Sequence, residues 1–170
     1  MLKSYTTQLQ HVFATIRNEE EAIADSARLL AQALAGNGNI YVCAGKPFAS
    51  LAETIVHNQD TPGRIHFIPW HKKEQATATD RLLVLTDGSE TEEETDQLQQ
   101  LLESNIPLVF LGPNHPRLSF VEGMEEPIAI TTPASPIAPD SDGSRRGYPT
   151  EIAIIYAYQA MIFEILDMID

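Results

Sequence analysis

The chain has 170 residues, 43% of them hydrophobic and 21% charged, enough for one well-buried domain and too few for two of ordinary size. Its 24 acids against 11 bases give a formal net charge of −13, which excludes a nucleic-acid backbone or an anionic membrane surface as partner, because both require clustered Lys and Arg. The one cysteine, Cys43, excludes an intrachain disulfide and, set in Ile40-Tyr41-Val42-Cys43-Ala44, reads as a small buried hydrophobe.

In chain order, Leu9, Val12, Phe13 and Ile16 fall at helical spacing and predict an amphipathic first helix. Asn18 followed by Glu19-Glu20-Glu21 reads as a new N-cap with an acidic first turn, and Ile23, Ala27, Leu30, Ala31 and Leu34 continue the stripe to Gly36. Residues 1–36 are thus a helical N-terminal extension. Strand one is Ile40 to Ala44. After Gly45-Lys46-Pro47 a helix is expected near Ala49 to Asn58, with Ser50 and Glu53 at capping-box spacing. Strand two is Arg64 to Trp70 and strand three Arg81 to Thr86, with a polar helix from Thr91 to Ser104 after it. Strand four is Ile106 to Leu111, closed by Gly112-Pro113-Asn114, and a short fifth strand lies near Ile128 to Thr132.

Near-continuous apolar strands alternating with helices predict an α/β three-layer sandwich, a parallel sheet covered on both faces. The stretch 133–149 contains four prolines and little periodicity, and reads as a lid or a disordered insert. The segment 150–170 is a long helix whose Ile152, Ile154, Ile155, Tyr156, Tyr158, Met161, Ile162, Phe163, Ile165 and Leu166 surround it with apolar surface. A helix apolar all round is expected to be buried all round, here by a second subunit, so a homodimer or higher homo-oligomer is expected. The N-terminus has no apolar signal core and no uninterrupted apolar run approaches membrane length, so the chain is expected to be cytoplasmic.

The most informative segment is Leu85-Thr86-Asp87-Gly88-Ser89-Glu90-Thr91-Glu92-Glu93-Glu94. A strand there feeds a tight loop into a helix N-terminus, where free N–H groups and the positive end of the helix dipole can hold an anion, most often a phosphate. Thr86, Ser89 and Thr91 add hydroxyls, Gly88 permits the turn, and Thr91 with Glu94 has capping-box spacing. The plainer reading of the same residues is an ordinary helix cap and turn.

The order helix, helix, βαβαβαβ, final helix resembles the SIS (sugar isomerase) domain, the fold of phosphosugar isomerases and phosphosugar-sensing regulators. Two places carry the resemblance. Ile40 through Ala52 matches a strand, glycine turn and helix-opening serine, and Leu85 through Glu93 is similar to the family's Ser-x-Ser-Gly-x-Thr-x-Glu loop. Within the superfamily the chain resembles a small single-domain group from Firmicutes, similar in size to the phosphoheptose isomerases. The resemblance implies one SIS-like domain over residues 1–170, a five-stranded parallel sheet of order 2-1-3-4-5, and a sugar phosphate or other small phosphate-bearing ligand. It places the phosphate on Gly45, Lys46, Ser50, Thr86, Gly88, Ser89 and Thr91, with no metal and no cofactor. The sequence departs from the family at Gly88-Ser89, which inverts Ser-Gly, at Thr86 in place of the leading serine, and at the first turn, where the usual serine position falls on Phe48 or Ser50. A sheet of this order binds ligands at the carboxyl ends of strands one and three, where strand order reverses, and the same two loops lie there.

Other chemistries lack their signatures. Gly36-Asn37-Gly38 precedes its strand, whereas a pyrophosphate loop must follow one. His11, His57, His66, His71 and His115 include no pair at i, i+3 or i+4, which argues against a zinc site of local spacing, and no Gly-x-Ser-x-Gly elbow occurs. Aldose–ketose isomerisation needs a base at the carbon α to a carbonyl and an acid to open the ring. The catalytic candidates are Glu151 and His57, with Glu53, one turn before His57, and His71 also in reach by position. Arg145-Arg146 is a candidate anion clamp in so acidic a chain, or a partner for surface carboxylates. Two functions follow: a phosphosugar isomerase of the phosphoheptose type, or a non-catalytic sugar-phosphate sensor.

Overall fold

A computed structural model of the chain describes residues 1–113 and 126–169, so Asn114, His115 and Asp170 lie outside the described residues. Two helices, α1 (Leu2–Arg17) and α2 (Glu20–Ala35), come first. Asn18 does not open α2. It has helical backbone angles, its N–H donates back to the carbonyls of Ala14 and Thr15, and it closes α1, whereas an N-cap needs extended angles.

Five strands follow: β1 (Ile40–Ala44), β2 (Ile65–Pro69), β3 (Arg81–Leu85), β4 (Leu108–Gly112) and β5 (Ile128–Thr131). They form one parallel sheet of order β2-β1-β3-β4-β5, as expected for the SIS fold. Helix α3 (Ala49–Ile55) joins β1 to β2, and α4 (Glu92–Leu102) joins β3 to β4. Strand β4 starts two residues later than expected, at Leu108 rather than Ile106. Pro107 has no N–H to give to a ladder, though its carbonyl still accepts the Leu82 N–H.

The pleat sorts the strand residues into two cores. Val42, Ala44, Leu83, Leu85, Val109, Leu111 and Ile130 face α2, α3 and α5 (Thr150–Ile169). Cys43, Leu82, Val84 and Leu108 face Leu98, Leu101 and Leu102 of α4, together with Trp70. Each fully buried large side chain contributes about 1.5–3 kcal/mol, so the alternation fixes the register. Cys43 is fully buried, and burial pushes its thiol well above the ordinary range, leaving it an inert core residue.

At the amino end of the sheet, buried Asp80 accepts the Asn39 N–H at 2.7 Å and both the N–H and hydroxyl of Thr77 at 2.7 and 2.9 Å. Burial alone would raise its pKa, but these bonds hold the carboxyl below its ordinary value. A depressed folded pKa stabilises the protein above the unfolded value. That contribution should therefore fade from denaturation curves taken as pH falls through the acid range, and Asp80→Asn should abolish that part of the pH dependence.

One further expectation is corrected. Residues 133–149 are not structureless: Ala138–Pro139 (β6) and Arg145–Arg146 (β7) pair as a short antiparallel hairpin, and β6 packs against α1. Its turn is closed by the Asp140 N–H on the Ser144 carbonyl, with Gly143 at φ +85°. Helix α5 is buried by the domain on one side only, which leaves the apolar remainder that the sequence assigns to a second subunit. Ala153, Ile154, Ala157, Tyr158, Met161, Ile162 and Ile165 pack inward against α2 and the sheet, while Ile152, Ile155, Phe163, Met168 and Ile169 are exposed. By length and composition α5 could also cross a bilayer, which the absence of one unbroken apolar run had argued against; here it is a core helix on one face.

Candidate functional site

The carboxyl ends of β1 and β3 are adjacent at the point where strand order reverses, and the loops that leave them are the ones marked out by the sequence. The β3 loop is anchored from below. Thr86 is buried, its N–H donates to the Leu111 carbonyl and its hydroxyl to the Pro113 carbonyl at 3.4 Å. Gly112, at φ +153°, lies so close that a Cβ would sit 2.1 Å from the Thr86 carbonyl oxygen. Gly88, at φ +81°, makes the left-handed turn that brings Ser89 round.

Most donors of this loop already have acceptors, and the acceptors are carboxylates of the loop itself. The Asp87 N–H donates to Glu90 Oε1 at 2.8 Å. The N–H and hydroxyl of Ser89 donate to the two oxygens of Asp87 at 2.8 and 2.7 Å. The Thr91 N–H donates to Glu94 Oε2 at 2.9 Å, and the Glu94 N–H returns a bond to Thr91 Oγ1 at 3.2 Å, completing the expected capping box. The other oxygen of Glu94 accepts the Lys46 N–H at 3.3 Å, so one carboxylate ties the β3 loop to the β1 loop.

The β1 loop is a 3₁₀ turn, Lys46–Phe48, whose Phe48 is buried. Gly45 sits against the ring of Trp70. The expected Ser50–Glu53 capping box is absent: α3 begins at Ala49 with Phe48 as its cap and no side-chain cap bond, so Ser50 lies inside the first turn and is exposed. The turn fixes this, because Pro47 starts the helical path before Ser50 can act as a cap.

Above both loops opens a cleft of about 410 Å³ lined by Phe48, Asp87, Ser89, Ala134, Tyr148, Thr150 and Glu151. It is of the size that takes a small metabolite. The end of the 133–149 segment and the start of α5 form the far side, fastened where the Thr150 hydroxyl donates to the Pro133 carbonyl at 2.8 Å.

Of the residues singled out by sequence, Ser89 and Glu151 line the cleft. Gly45, Lys46, Thr86, Gly88 and Thr91 belong to the two loops beneath it, and Lys46 is exposed. His57 lies beyond the far end of α3, about 12 Å from its start at 1.5 Å per residue. Its ring nitrogen meets the backbone carbonyl of Glu53 at 2.7 Å, not the carboxylate that shared-face spacing suggested. His71 is exposed in the 3₁₀ segment Trp70–Gln75. Arg146 pairs with Asp140 at 2.6 Å and Arg145 bonds the Ile137 carbonyl at 3.4 Å, so both arginines hold the hairpin. Sequence reasoning missed Asp87, Ala134, Tyr148 and Thr150 as cleft residues. Asp87 could have been found from Asp-Gly-Ser, a pattern that turns a carboxylate back onto the residue two ahead. Among the described residues no group of three or more metal-ligating side chains occurs.

A parallel sheet of this order, led by a helix pair, ended by a long helix and opened at its switch point, is the SIS fold of phosphosugar isomerases. The chain belongs to the family described as "Domain of unknown function (DUF2529)", whose model matches residues 1–169. It is 29% identical over 170 residues to the uncharacterized protein YwjG of Bacillus subtilis, covering 99% of this chain and 98% of that one. In structure it is similar to phosphoheptose isomerase GmhA from Neisseria gonorrhoeae, with a TM-score of 0.57 at 14% identity over 100% of both chains. The E. coli CFT073 protein c3406, solved in complex with arabinose 5-phosphate, superposes at a TM-score of 0.56 and 14% identity, covering 95% of this chain and 92% of that one.

Proposed function

We propose that the protein binds a sugar phosphate in the cleft at the carboxyl ends of β1 and β3. The observation that carries this reading is the cleft itself: a metabolite-sized opening at the switch point of an SIS fold, with Ser89 of the β3 loop on one side and Glu151 of α5 on the other. The loop donors beneath it are arranged around carboxylate oxygens, and a phosphate oxygen is the same kind of acceptor. A ligand phosphate would exchange with the Asp87 and Glu94 carboxylates on those N–H groups. The solved relatives support the ligand class, since one is a phosphoheptose isomerase and another holds arabinose 5-phosphate.

A thermal-shift screen against C4 to C7 sugar phosphates, with inorganic phosphate as control, tests the reading. Ligand at 100 times its Kd stabilises the folded state by about 2.7 kcal/mol, a shift of several degrees for a domain of this size. No shift with any sugar phosphate would remove the reading.

Within it, isomerisation assigns Glu151 as the base. Its carboxylate would take the proton from the carbon α to the carbonyl and return it to the former carbonyl carbon, while the hydroxyl proton on the α carbon passes to the former carbonyl oxygen. Glu151→Gln should then lower turnover by about 10²–10⁴-fold with phosphate binding nearly intact. His57, remote from the cleft, would need a neighbouring subunit to bring it near. The self-paired donors of the β3 loop favour the second reading, a sensor that binds without turnover. Solvent-deuterium exchange into C1 or C2 of a bound sugar phosphate separates the two. The exposed apolar face of α5 supports a homo-oligomer, and the acidic charge suits a soluble cytoplasmic protein. Phe163→Asp should leave a monodisperse monomer in sedimentation where the wild type is larger.

A further inference from the structure

The carboxylate of Glu94 serves both loops of the switch point at once. Its Oε2 accepts the Thr91 N–H at 2.9 Å and the Thr91 hydroxyl at 3.2 Å, while its Oε1 accepts the Lys46 N–H at 3.3 Å. The packing around it is close: a Cβ on Gly45 would meet Glu94 Oε1 at 3.1 Å and the Trp70 ring at 2.9 Å. The β1 side has little other polar support. Lys46 and Pro47 are exposed, and α3 after them is 7 residues long with no side-chain cap bond. Phe48, two residues beyond Lys46, is buried and lines the cleft, so the bond from Lys46 to Glu94 helps to fix one wall of it. The two oxygens of one carboxylate move together. An anion that takes the Thr91 N–H from Oε2 also repels the charge of the whole group, and so draws Oε1 away from Lys46. The Lys46 N–H then passes to water at an exposed turn, which avoids the cost of a buried unpaired donor.

We propose that Glu94 is a latch, closed across the two loops in the free protein and opened by an anion on the β3 loop, which releases the turn that carries Lys46 and Phe48. The proposal rests on the sugar-phosphate reading and adds an order of events to it. The phosphate seats first, and the aromatic wall of the cleft is then free to adjust to the rest of the ligand.

The test is amide hydrogen exchange read by NMR on the full chain, alone and with an excess of inorganic phosphate or glucose 6-phosphate. Glu94→Gln leaves one acceptor oxygen where the carboxylate has two. The capping box should keep it, so Thr91 stays protected while the Lys46 amide exchanges about tenfold faster than in the wild type, the worth of a hydrogen bond to a charged group. Glu93→Gln removes the same charge from the exposed neighbour on α4 and should leave Lys46 unchanged. In the wild type, either probe should shift the Ser89 and Thr91 resonances and speed Lys46 exchange to the rate seen in Glu94→Gln, and in that variant it should speed Lys46 no further. Lys46 exchange that Glu94→Gln changes by less than about twofold, or that Glu93→Gln speeds equally, overturns the proposal. If a probe shifts Ser89 and Thr91 while Lys46 keeps its protection, the proposal fails and the sugar-phosphate reading stands. If neither probe shifts those resonances, no anion reaches the β3 loop, and both fail.

Discussion

The loops after β1 and β3 lie side by side at the switch point, yet they are stabilised by different means. The β1 loop is held by shape: Pro47 lacks an N–H, Phe48 is buried, Gly45 is pressed on Trp70, and the helix that follows is 7 residues long with no side-chain cap. The β3 loop is held by polar pairing, with Asp87, Glu90 and Glu94 accepting from its own N–H groups, and it leads into an 11-residue helix with a full capping box. An apolar floor and a polar wall result. The wall is where a phosphate would have to compete, so affinity should be governed there, whereas the β1 loop should govern only the shape of the cleft.

That contrast can be broken most severely at Gly112. A Cβ there would meet the backbone of Thr86, which cannot move without dragging β3, and the φ of +153° is itself costly for an L side chain. Gly112→Ala should cost on the order of 3 kcal/mol in urea denaturation. Gly112 belongs to β4 and presses on the β3 loop from its neighbour strand; Gly45→Ala is the comparable change in the β1 loop. Its Cβ would meet the Trp70 ring at 2.9 Å and Glu94 Oε1 at 3.1 Å, side-chain atoms that can yield, so a cost of about 1 kcal/mol is expected.

Thr91→Ala removes a working cap and should cost about 1 kcal/mol, while Ser50→Ala, at an exposed position with no cap bond, should stay within about 0.5 kcal/mol. Equal effects at the two sites would erase the distinction between the loops. Smallest in stability but informative in binding is Glu94→Gln. Glutamine also serves in a capping box, so the fold should hold, while removal of the charge that bridges the loops should tighten inorganic phosphate binding by roughly tenfold in titration calorimetry.

The fold was legible because strand signals are local. The apolar runs around Ile40, Ile65, Leu82 and Val109 need only burial on two faces to become parallel strands, and Thr91 and Glu94 announce a helix start by spacing alone. The order of the strands came from the resemblance rather than from any residue pattern. What stayed hidden depends on partners distant in sequence or on which way a lone pair points. The hairpin of β6 and β7 rests on Arg146 reaching Asp140, and two-residue strands leave no periodicity. Asn18 looked like a cap because its neighbours are acidic, but α1 ran into it first. Glu53 and His57 have helical spacing, but α3 ends at Ile55, so the ring turns to a backbone carbonyl. Ala134, Tyr148 and Thr150 join Asp87 only because the chain returns across the top of the sheet before α5.

The central claim, that the cleft at the switch point holds a sugar phosphate, is tested most directly by titration calorimetry of the sugar phosphate that gives the largest thermal shift into the wild type and into Ala134→Trp. Ala134 is exposed on the cleft wall and belongs to neither loop, so an indole there takes up cleft space while every residue of the two loops is kept. The account predicts saturable binding to the wild type and a loss of at least about tenfold in the variant. Equal affinity in both proteins would place the ligand elsewhere and contradict the account.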